Sequence, residues 1–170
     1  MKNNKKNTKI LFFTPHADDI ELGVPFTYLE SLMLQNEVIE VVMTNNEYGT
    51  INDEYKGQRL KNIRDFELRN ANKVFEFYSQ NRVNVIKMGY IDGHLPLNRD
   101  SLIRVSSLIR KEKPNIIFAP DPWFAQDYHA DHLNTGRLVY FSFKKLGIIL
   151  PPIRVFYRFS SRKPCPLGHG

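Results

Sequence analysis

Residues 9–23 have the sequence KILFFTPHADDIELG, in which a short apolar run is followed at once by a histidine and three acidic residues. Such a run predicts a buried strand, and the apolar spacing that follows it predicts a helix. The same order recurs along the chain. Strands are predicted at Lys9–Thr14, Val38–Thr44, Val83–Gly89, Asn115–Pro120 and Arg154–Ser160, and helices at about Ile20–Gln35, Lys56–Tyr78, Asp100–Lys113 and His132–Leu146.

Alternating strands and helices predict a Rossmann-like, three-layer α/β/α fold with a mostly parallel sheet of about five strands. The length of 170 residues suits one domain, expected at residues 9–160 between a basic polar tail (1–8) and a tail rich in Pro and Gly (161–170). No apolar stretch is long enough to cross a membrane, and the start lacks the apolar segment of a signal peptide. We therefore expect a cytoplasmic protein without stable membrane insertion.

The net charge of +6 invites a nucleic-acid partner, but its distribution argues against one. Residues 1–9 carry +4 and residues 132–170 carry +7, which leaves −5 for residues 10–131. The middle of this basic chain is acidic. We therefore predict no nucleic-acid partner and a central region suited to a divalent cation.

Two polar clusters follow directly on predicted strands. The first is PHADDIELG at residues 15–23, and the second is DYHADH at residues 127–132, after the fourth strand. Ligands of open parallel sheets bind beyond the carboxyl ends of the strands, where the strand order reverses. If the first and fourth strands are neighbours, the two clusters face each other across this crevice.

Both clusters hold side chains three residues apart, His16 with Asp19 and His129 with His132, and this arrangement suits a metal site. Catalytic zinc sites take three ligands from His, Asp and Glu, and His16, Asp19 and His132 supply such a set. Asp18 adjoins a ligand and is a candidate base for activating water. Both clusters also have a purely structural interpretation. Asp18 and Asp19 are typical of a helix N-terminus, where acids cap backbone N–H groups and interact favourably with the helix dipole. His129 and His132 are compatible with a histidine pair that is packed or solvated at the start of a helix.

Four motifs, in order, resemble the LmbE-like or PIG-L family of zinc-dependent N-acetylglucosamine deacetylases. HADDIELG (16–23) is similar to the family's HPDD(x)ELG segment, and HADH (129–132) to its HPDH segment. RDFELRNA (64–71) resembles the family's R-x-x-E-L-x-x-A helix, and MGYIDG (88–93) its L-G-x-x-D-G turn. The resemblance runs from about residue 9 to residue 160.

The resemblance implies the following site. His16, Asp19 and His132 would bind Zn²⁺, with Fe²⁺ or another divalent ion as alternatives, and Asp18 would be the general base. His129 would stabilise the oxyanion or protonate the leaving amine, with Asp131 orienting it. Arg64 and Asp92 would face the substrate, although Arg64 has Glu67 as an alternative partner one turn on and Asp92-Gly93 is also an ordinary turn sequence.

The implied reaction is removal of the N-acetyl group from a small amino-sugar conjugate by attack of a metal-bound hydroxide. Two other functions remain open from the residues. One is a two-metal phosphoester hydrolase, which the metal stoichiometry distinguishes. The other is a non-catalytic sugar or nucleotide binder, against which an intact Asp18 argues.

The chain departs from the family pattern at several positions. Both motif prolines are alanines, Ala17 and Ala130, and Val24-Pro25-Phe26 replaces a glycine-rich stretch. Asn45-Asn46 stands where a T-x-G-E pattern has Gly. Family members typically continue through further strands and helices, so we expect a truncated copy or a minimal variant of the domain.

Overall fold

The computed structural model describes residues 8–142 and 152–158. None of the helices formed by these residues has both the length and the apolar character that a bilayer crossing requires. Four predicted segments lie outside the described ranges: residues 1–7 and 161–170 of the tails, helical residues 143–146, and residues 159–160 of the fifth strand. The elements are β1 (Lys9–Thr14), α1 (Asp19–Gly23), α2 (Pro25–Met33), β2 (Glu37–Thr44), α3 (Gln58–Ser79), β3 (Val83–Tyr90), α4 (Arg99–Glu112), β4 (Ile116–Pro120), α5 (Ala130–Ser142) and β5 (Ile153–Tyr157).

The five strands form one parallel sheet in the order β3-β2-β1-β4-β5. In the central strand, Leu11 pairs with Ile39 of β2 on one side and with Ile117 of β4 on the other. The chain therefore moves outward from β1 in one direction and returns to build the other half from β4. This reversal creates a crevice at the carboxyl ends of β1 and β4, and the predicted α/β fold class is confirmed.

Alternating residues of β1 build a core on each face of the sheet. Leu11 and Phe13 pack with residues of α4 and α5, whereas Ile10 and Phe12 pack with residues of α1 and α2. All four side chains are almost completely buried. A strand apolar on both faces is typical of parallel sheets covered by helices on both sides.

The single helix predicted at Ile20–Gln35 is wrong, because the chain forms two helices that meet at Val24. Pro25 is the first residue of α2, and a proline disfavours the helical conformation of the residue before it. Val24 has φ −142° and ψ 39°. The break ends α1 after five residues, so the acidic segment at its start lies on a short turn of helix.

Helix α5 approaches the end of β4 very closely through Gly136. A Cβ at this position would lie 2.3 Å from the carbonyl oxygen of Pro120 and 2.9 Å from the nitrogen of Pro122. Only glycine allows this approach without a shift of the backbone. The contact sets the N-terminus of α5, with its histidines, above the strand end.

A buried polar group interrupts the core between the sheet and α2 and α3. Glu40 of β2 accepts hydrogen bonds from Asn72 Nδ2 (2.7 Å) and from the Tyr28 hydroxyl (3.3 Å). Burial raises the pKa of Glu40 to about 7, and the Asn72 hydrogen bond only partly opposes this rise. The neutral carboxyl group is therefore favoured in the folded protein.

This raised pKa predicts a loss of stability as the pH rises from about 4.5 to about 7. The stabilising contribution of Glu40 is complete below its unfolded pKa near 4.5 and is lost as the pH rises through about 7. We expect Glu40→Gln to gain roughly 2–3 kcal/mol in unfolding free energy over the parent protein between pH 5 and pH 8. Urea denaturation with a chelator present measures this change.

The control is Glu37→Gln on the same strand, where the carboxylate is half-exposed and pairs with Lys9. The difference in unfolding free energy between Glu37→Gln and the parent should change little over this pH range. Parallel pH profiles for Glu40→Gln and the parent protein would contradict the prediction.

Candidate metal centre and active-site cleft

An open cleft of about 170 Å³ lies at the carboxyl edge of the sheet. Five of the residues predicted from sequence contribute to its walls, and two residues that were not predicted join them. The lining residues are His16, Asp18, Asn46, Gly49, Arg64, Asp92 and His129. The predicted meeting of the two polar clusters across the crevice is confirmed by their positions.

His16, Asp19 and His132 form one group at this edge. Asp19 Oδ2 lies 3.3 Å from His16 Nδ1, and Asp19 Oδ1 lies 3.5 Å from His132 Nε2. The candidate ligand atoms of all three side chains lie within 4.8 Å of one another. The backbone N–H of His16 also donates to Asp19 Oδ2 at 2.7 Å, which locks the turn between the two residues. The spacing suits a single cation.

Asp18 differs from Asp19 in exposure and in hydrogen bonding. Asp19 is buried, whereas Asp18 is exposed and lines the cleft. Asp18 occupies the N-cap position of α1 without a capping hydrogen bond from its side chain. The helix-capping interpretation therefore does not account for the Asp18 carboxylate.

Asp131 is fully buried and connects three segments of the chain. Its carboxylate accepts hydrogen bonds from the N–H groups of Gly93 (2.7 Å) and Leu95 (2.9 Å) and lies 3.4 Å from His16 Nε2. Burial would raise the pKa of Asp131, but His16 and the two N–H groups outweigh it and lower the pKa. The carboxylate also belongs to a group of candidate ligand atoms that includes His129, and the expected role of orienting His129 stays a prediction.

His129 is held by the backbone at the start of α5. Its Nδ1 accepts the N–H of Asp131 at 3.3 Å, so the neutral ring carries its proton on Nε2. Its ring stacks on His132 with centroids 4.9 Å apart. Burial and the charges of His16 and His132 lower the pKa of His129. A neutral imidazole with a donor on Nε2 suits the stabilisation of an oxyanion.

The two residues expected to face substrate both line the cleft and both have partners in the chain. Asp92 is buried, lies 3.2 Å from His16 Nε2 and accepts the N–H of Tyr48 at 3.0 Å. Arg64 forms an ion pair with Glu67 at 2.8 Å, the alternative that its sequence position left open. Both remain accessible from the cleft.

The electrostatic field of the site favours a cation. Burial disfavours the charged form of His16, but the carboxylates of Asp131, Asp19 and Asp92 outweigh burial and raise its pKa to about 11. His16 Nε2 is buried and has no hydrogen bond of normal geometry. The surrounding acids provide the negative charge that a divalent ion requires.

Two residues of the site escaped the sequence interpretation. Asp127 Oδ2 lies 2.8 Å from His132 Nδ1, and its Oδ1 accepts the N–H of His129 at 3.0 Å. Asn46 Oδ1 accepts the N–H of Ala17 at 2.9 Å. Asp127 stands in the second polar cluster of the sequence and Asn46 at a departure from the family pattern, but neither position by itself indicates the contact that the structure shows.

Residues 11–141 match the family model described as PIG-L: GlcNAc-PI de-N-acetylase. The chain belongs to the PIG-L family. The resemblance noted in the motifs is confirmed, and the match covers β1 to α5. Diacetylchitobiose deacetylase from Thermococcus kodakarensis (strain ATCC BAA-918 / JCM 12380 / KOD1) is 29% identical over 130 residues, which are 76% of this chain and 47% of the relative.

Solved structures share the architecture. N,N′-diacetylchitobiose deacetylase from Pyrococcus horikoshii aligns with a TM-score of 0.74 and 32% identity over 81% of this chain and 50% of its own. The 4-carboxy-2-hydroxymuconate hydratase from Pseudomonas putida KT2440 aligns with a TM-score of 0.67 and 16% identity over 79% of this chain and 55% of its own, a likeness of fold alone. This chain spans about half the length of the Thermococcus and Pyrococcus relatives.

The buried contacts of Asp131 predict that this residue stabilises the PIG-L fold even without metal. Asp131→Ala leaves two backbone N–H groups without their acceptor, so we expect a loss of roughly 2–4 kcal/mol in unfolding free energy. Urea denaturation in excess chelator measures it. Asp100→Ala, an exposed acid in the first turn of α4, should cost less than about 1 kcal/mol. Equal losses in the two variants would contradict the prediction.

Proposed function

We propose that this chain is a zinc-dependent N-deacetylase that removes the acetyl group from an N-acetylated amino-sugar conjugate. The observation that carries the proposal is the exposed Asp18 carboxylate, which lines the same cleft as His16 and His129 and is next in the chain to Asp19. The names of the Thermococcus and Pyrococcus relatives point to the same bond type. The cytoplasmic location and the absence of a nucleic-acid partner stay predictions.

The donor set of the candidate centre fits zinc. Two imidazoles and one carboxylate, from His16, His132 and Asp19, are ligands that catalytic zinc prefers, and three protein ligands leave one position open. Asp127 beside His132 Nδ1 and Asp131 beside His16 Nε2 would orient the two rings. This role of Asp131 at His16 adds to the predicted orientation of His129. Two imidazoles and one carboxylate also suit another divalent ion, such as Fe²⁺.

In the proposed reaction, Asp18 and His129 have separate roles. The metal, when bound, supplies Lewis acidity that polarises the amide carbonyl and acidifies water. Asp18 takes the proton from the attacking water, and His129 Nε2–H donates to the oxygen on which negative charge develops. The C–N bond then breaks, and the proton taken by Asp18 ends on the leaving nitrogen. The products are acetate and a free amine.

Arg64 and Asp92 would orient the rest of the substrate. Asp92 lines the cleft and would accept a hydrogen bond from a sugar hydroxyl, in addition to the N–H of Tyr48 at Oδ2 and the neighbouring His16 Nε2 at Oδ1. The Arg64 guanidinium keeps donors beyond its bond to Glu67, because a guanidinium has five N–H groups. These donors suit a polyol or an anionic group attached to the sugar.

One observation favours a second candidate. His16, Asp92, His129 and Asp131 form another group whose candidate ligand atoms lie within 4.8 Å of one another. Two adjoining groups resemble the arrangement of a two-metal phosphoester hydrolase. Two tightly bound zinc ions per chain and hydrolysis of a phosphomonoester would favour that reaction. We expect one zinc ion per chain, because the two groups share His16.

The decisive assay follows acetate release. Zinc-loaded protein should release acetate and a free amine from N-acetylglucosamine conjugates, with the most active aglycone identified by comparing neutral, polyol and anionic groups. Enzymatic acetate detection and mass spectrometry of the amine measure the two products. Absence of release from every conjugate, with one bound zinc ion verified by metal analysis, would refute the proposed activity.

The roles of Asp18 and His132 predict that their variants lose activity in different ways, one with zinc retained and one with zinc lost. Asp18→Asn should lower kcat by roughly 10²–10⁴-fold and keep its zinc, because only the base is lost. His132→Ala should lose both zinc and activity, since a ligand is removed. Metal analysis after gel filtration, with kcat measured on the same samples, separates the two.

The matched control is Asp65→Asn, an acid on α3 that pairs with Lys87 away from the cleft. It should keep both zinc and kcat within about twofold of the parent. Loss of zinc in Asp18→Asn would refute the division of roles between base and ligand.

A further inference from the structure

A hydrogen bond from Ala17 to Asn46 joins the loop after β1 to the loop after β2. The Ala17 N–H donates to Asn46 Oδ1 at 2.9 Å, and both residues are buried. Ala17 lies between the candidate ligand His16 and the candidate base Asp18. We propose that Asn46 is a positioning residue that sets these two side chains through the backbone of Ala17. The inference rests on the proposed function for its catalytic consequence.

Three other polar backbone groups of this loop have hydrogen-bond partners. The Thr44 hydroxyl donates to the Pro15 carbonyl at 3.0 Å, and the Thr14 hydroxyl donates to the His16 carbonyl at 2.5 Å. The His16 N–H is bound to Asp19. The Ala17 N–H is the next group in the chain, and a buried N–H without a partner is costly. Asn46 supplies the missing acceptor and completes the hydrogen bonding of the loop.

The orientation of the Asn46 amide is itself fixed. Its Nδ2 donates to the Thr44 carbonyl at 3.2 Å, so Oδ1 must point toward Ala17. The backbone of Asn46 has φ 60°, a left-handed conformation that glycine adopts freely and asparagine tolerates best among other residues. Asparagine is thus compatible with a position where the family pattern has Gly, and it adds an acceptor that Gly lacks.

The two departures from the family motifs depend on each other. A proline at position 17 has no N–H, and its ring carbon would point at Asn46 Oδ1, which lies 2.9 Å from the nitrogen. A glycine at position 46 would leave the Ala17 N–H buried and unpaired. Ala17 therefore requires Asn46, and a proline requires a smaller residue opposite it. Each change alone harms the loop, and the two together restore it.

A double-mutant cycle tests this dependence. Ala17→Pro and Asn46→Gly should each lower kcat by roughly 10- to 100-fold, with KM within about twofold, and each should weaken zinc binding. The double variant should recover kcat and zinc affinity to within about threefold of the parent. The measurements are acetate release, zinc affinity by chelator competition, and unfolding by urea in excess chelator. If the fold-losses in kcat and zinc affinity of the double variant equal the products of the losses in the two single variants, the proposal is overturned.

Two matched controls isolate the contact. Asn45→Gly changes the neighbouring asparagine, whose side chain bonds to Gly89 and not to the loop after β1. Ala130→Pro places a proline at the first residue of α5, where proline is tolerated. Both should stay within about threefold of the parent in kcat and zinc affinity.

The readouts separate the positioning role from the proposed function. If the parent protein deacetylates no substrate, the proposed function fails, and coupling in zinc affinity still decides the role of Asn46. Coupling in urea unfolding without coupling in kcat or zinc affinity would mean that the contact only stabilises the fold, which overturns the proposal. Coupling in kcat at constant KM supports it.

Discussion

The site depends on the contacts that the buried carboxylate of Asp131 makes with two loops. It accepts the N–H groups of Gly93 and Leu95 from the loop after β3, and it lies beside His16 from the loop after β1. It belongs to α5, whose close packing on the end of β4 sets its position. Three loops that leave three different strands therefore meet at one side chain. The reversal of strand order provides the crevice, and Asp131 brings the crevice walls together.

The site concentrates negative charge that a cation must balance. Asp19, Asp92 and Asp131 are all buried around His16, and their combined field raises the pKa of this histidine to about 11. Buried carboxylates are tolerated only when they are paired or bind a cation. Residues 10–131, which hold these carboxylates, carry a net charge of −5, whereas the positive charge lies in residues 1–9 and 132–170. The distribution of charge thus reflects the site rather than the whole protein.

The sequence predicted the strands, their parallel sheet and the meeting of the two polar clusters, because hydrophobic period and strand-end position are local signals. It failed at Val24, where the conformational limit imposed by Pro25 outweighs the helical pattern. It gave no role to Asp127 or Asn46, and it did not anticipate the contact of Asp131 with His16. Asn46 bonds to a residue 29 positions away, and the contact of Asp131 with His16 spans most of the chain. Such contacts have no spacing rule, so only the fold reveals them.

The fold alone does not determine the reaction, since a hydratase at 16% identity shares it. The proposed hydrolysis needs an accessible base beside buried ligands, and the turn at Asp18-Asp19 places one exposed and one buried carboxylate on adjacent residues. Asp19 is tied back to the His16 N–H and faces the metal group, which leaves Asp18 on the opposite side of the turn in the cleft. Both orientations follow from the path of the backbone through Ala17. In the proposed function, the hydrogen bond between Ala17 and Asn46 holds this backbone and so helps to set which carboxylate binds the metal and which one acts as the base.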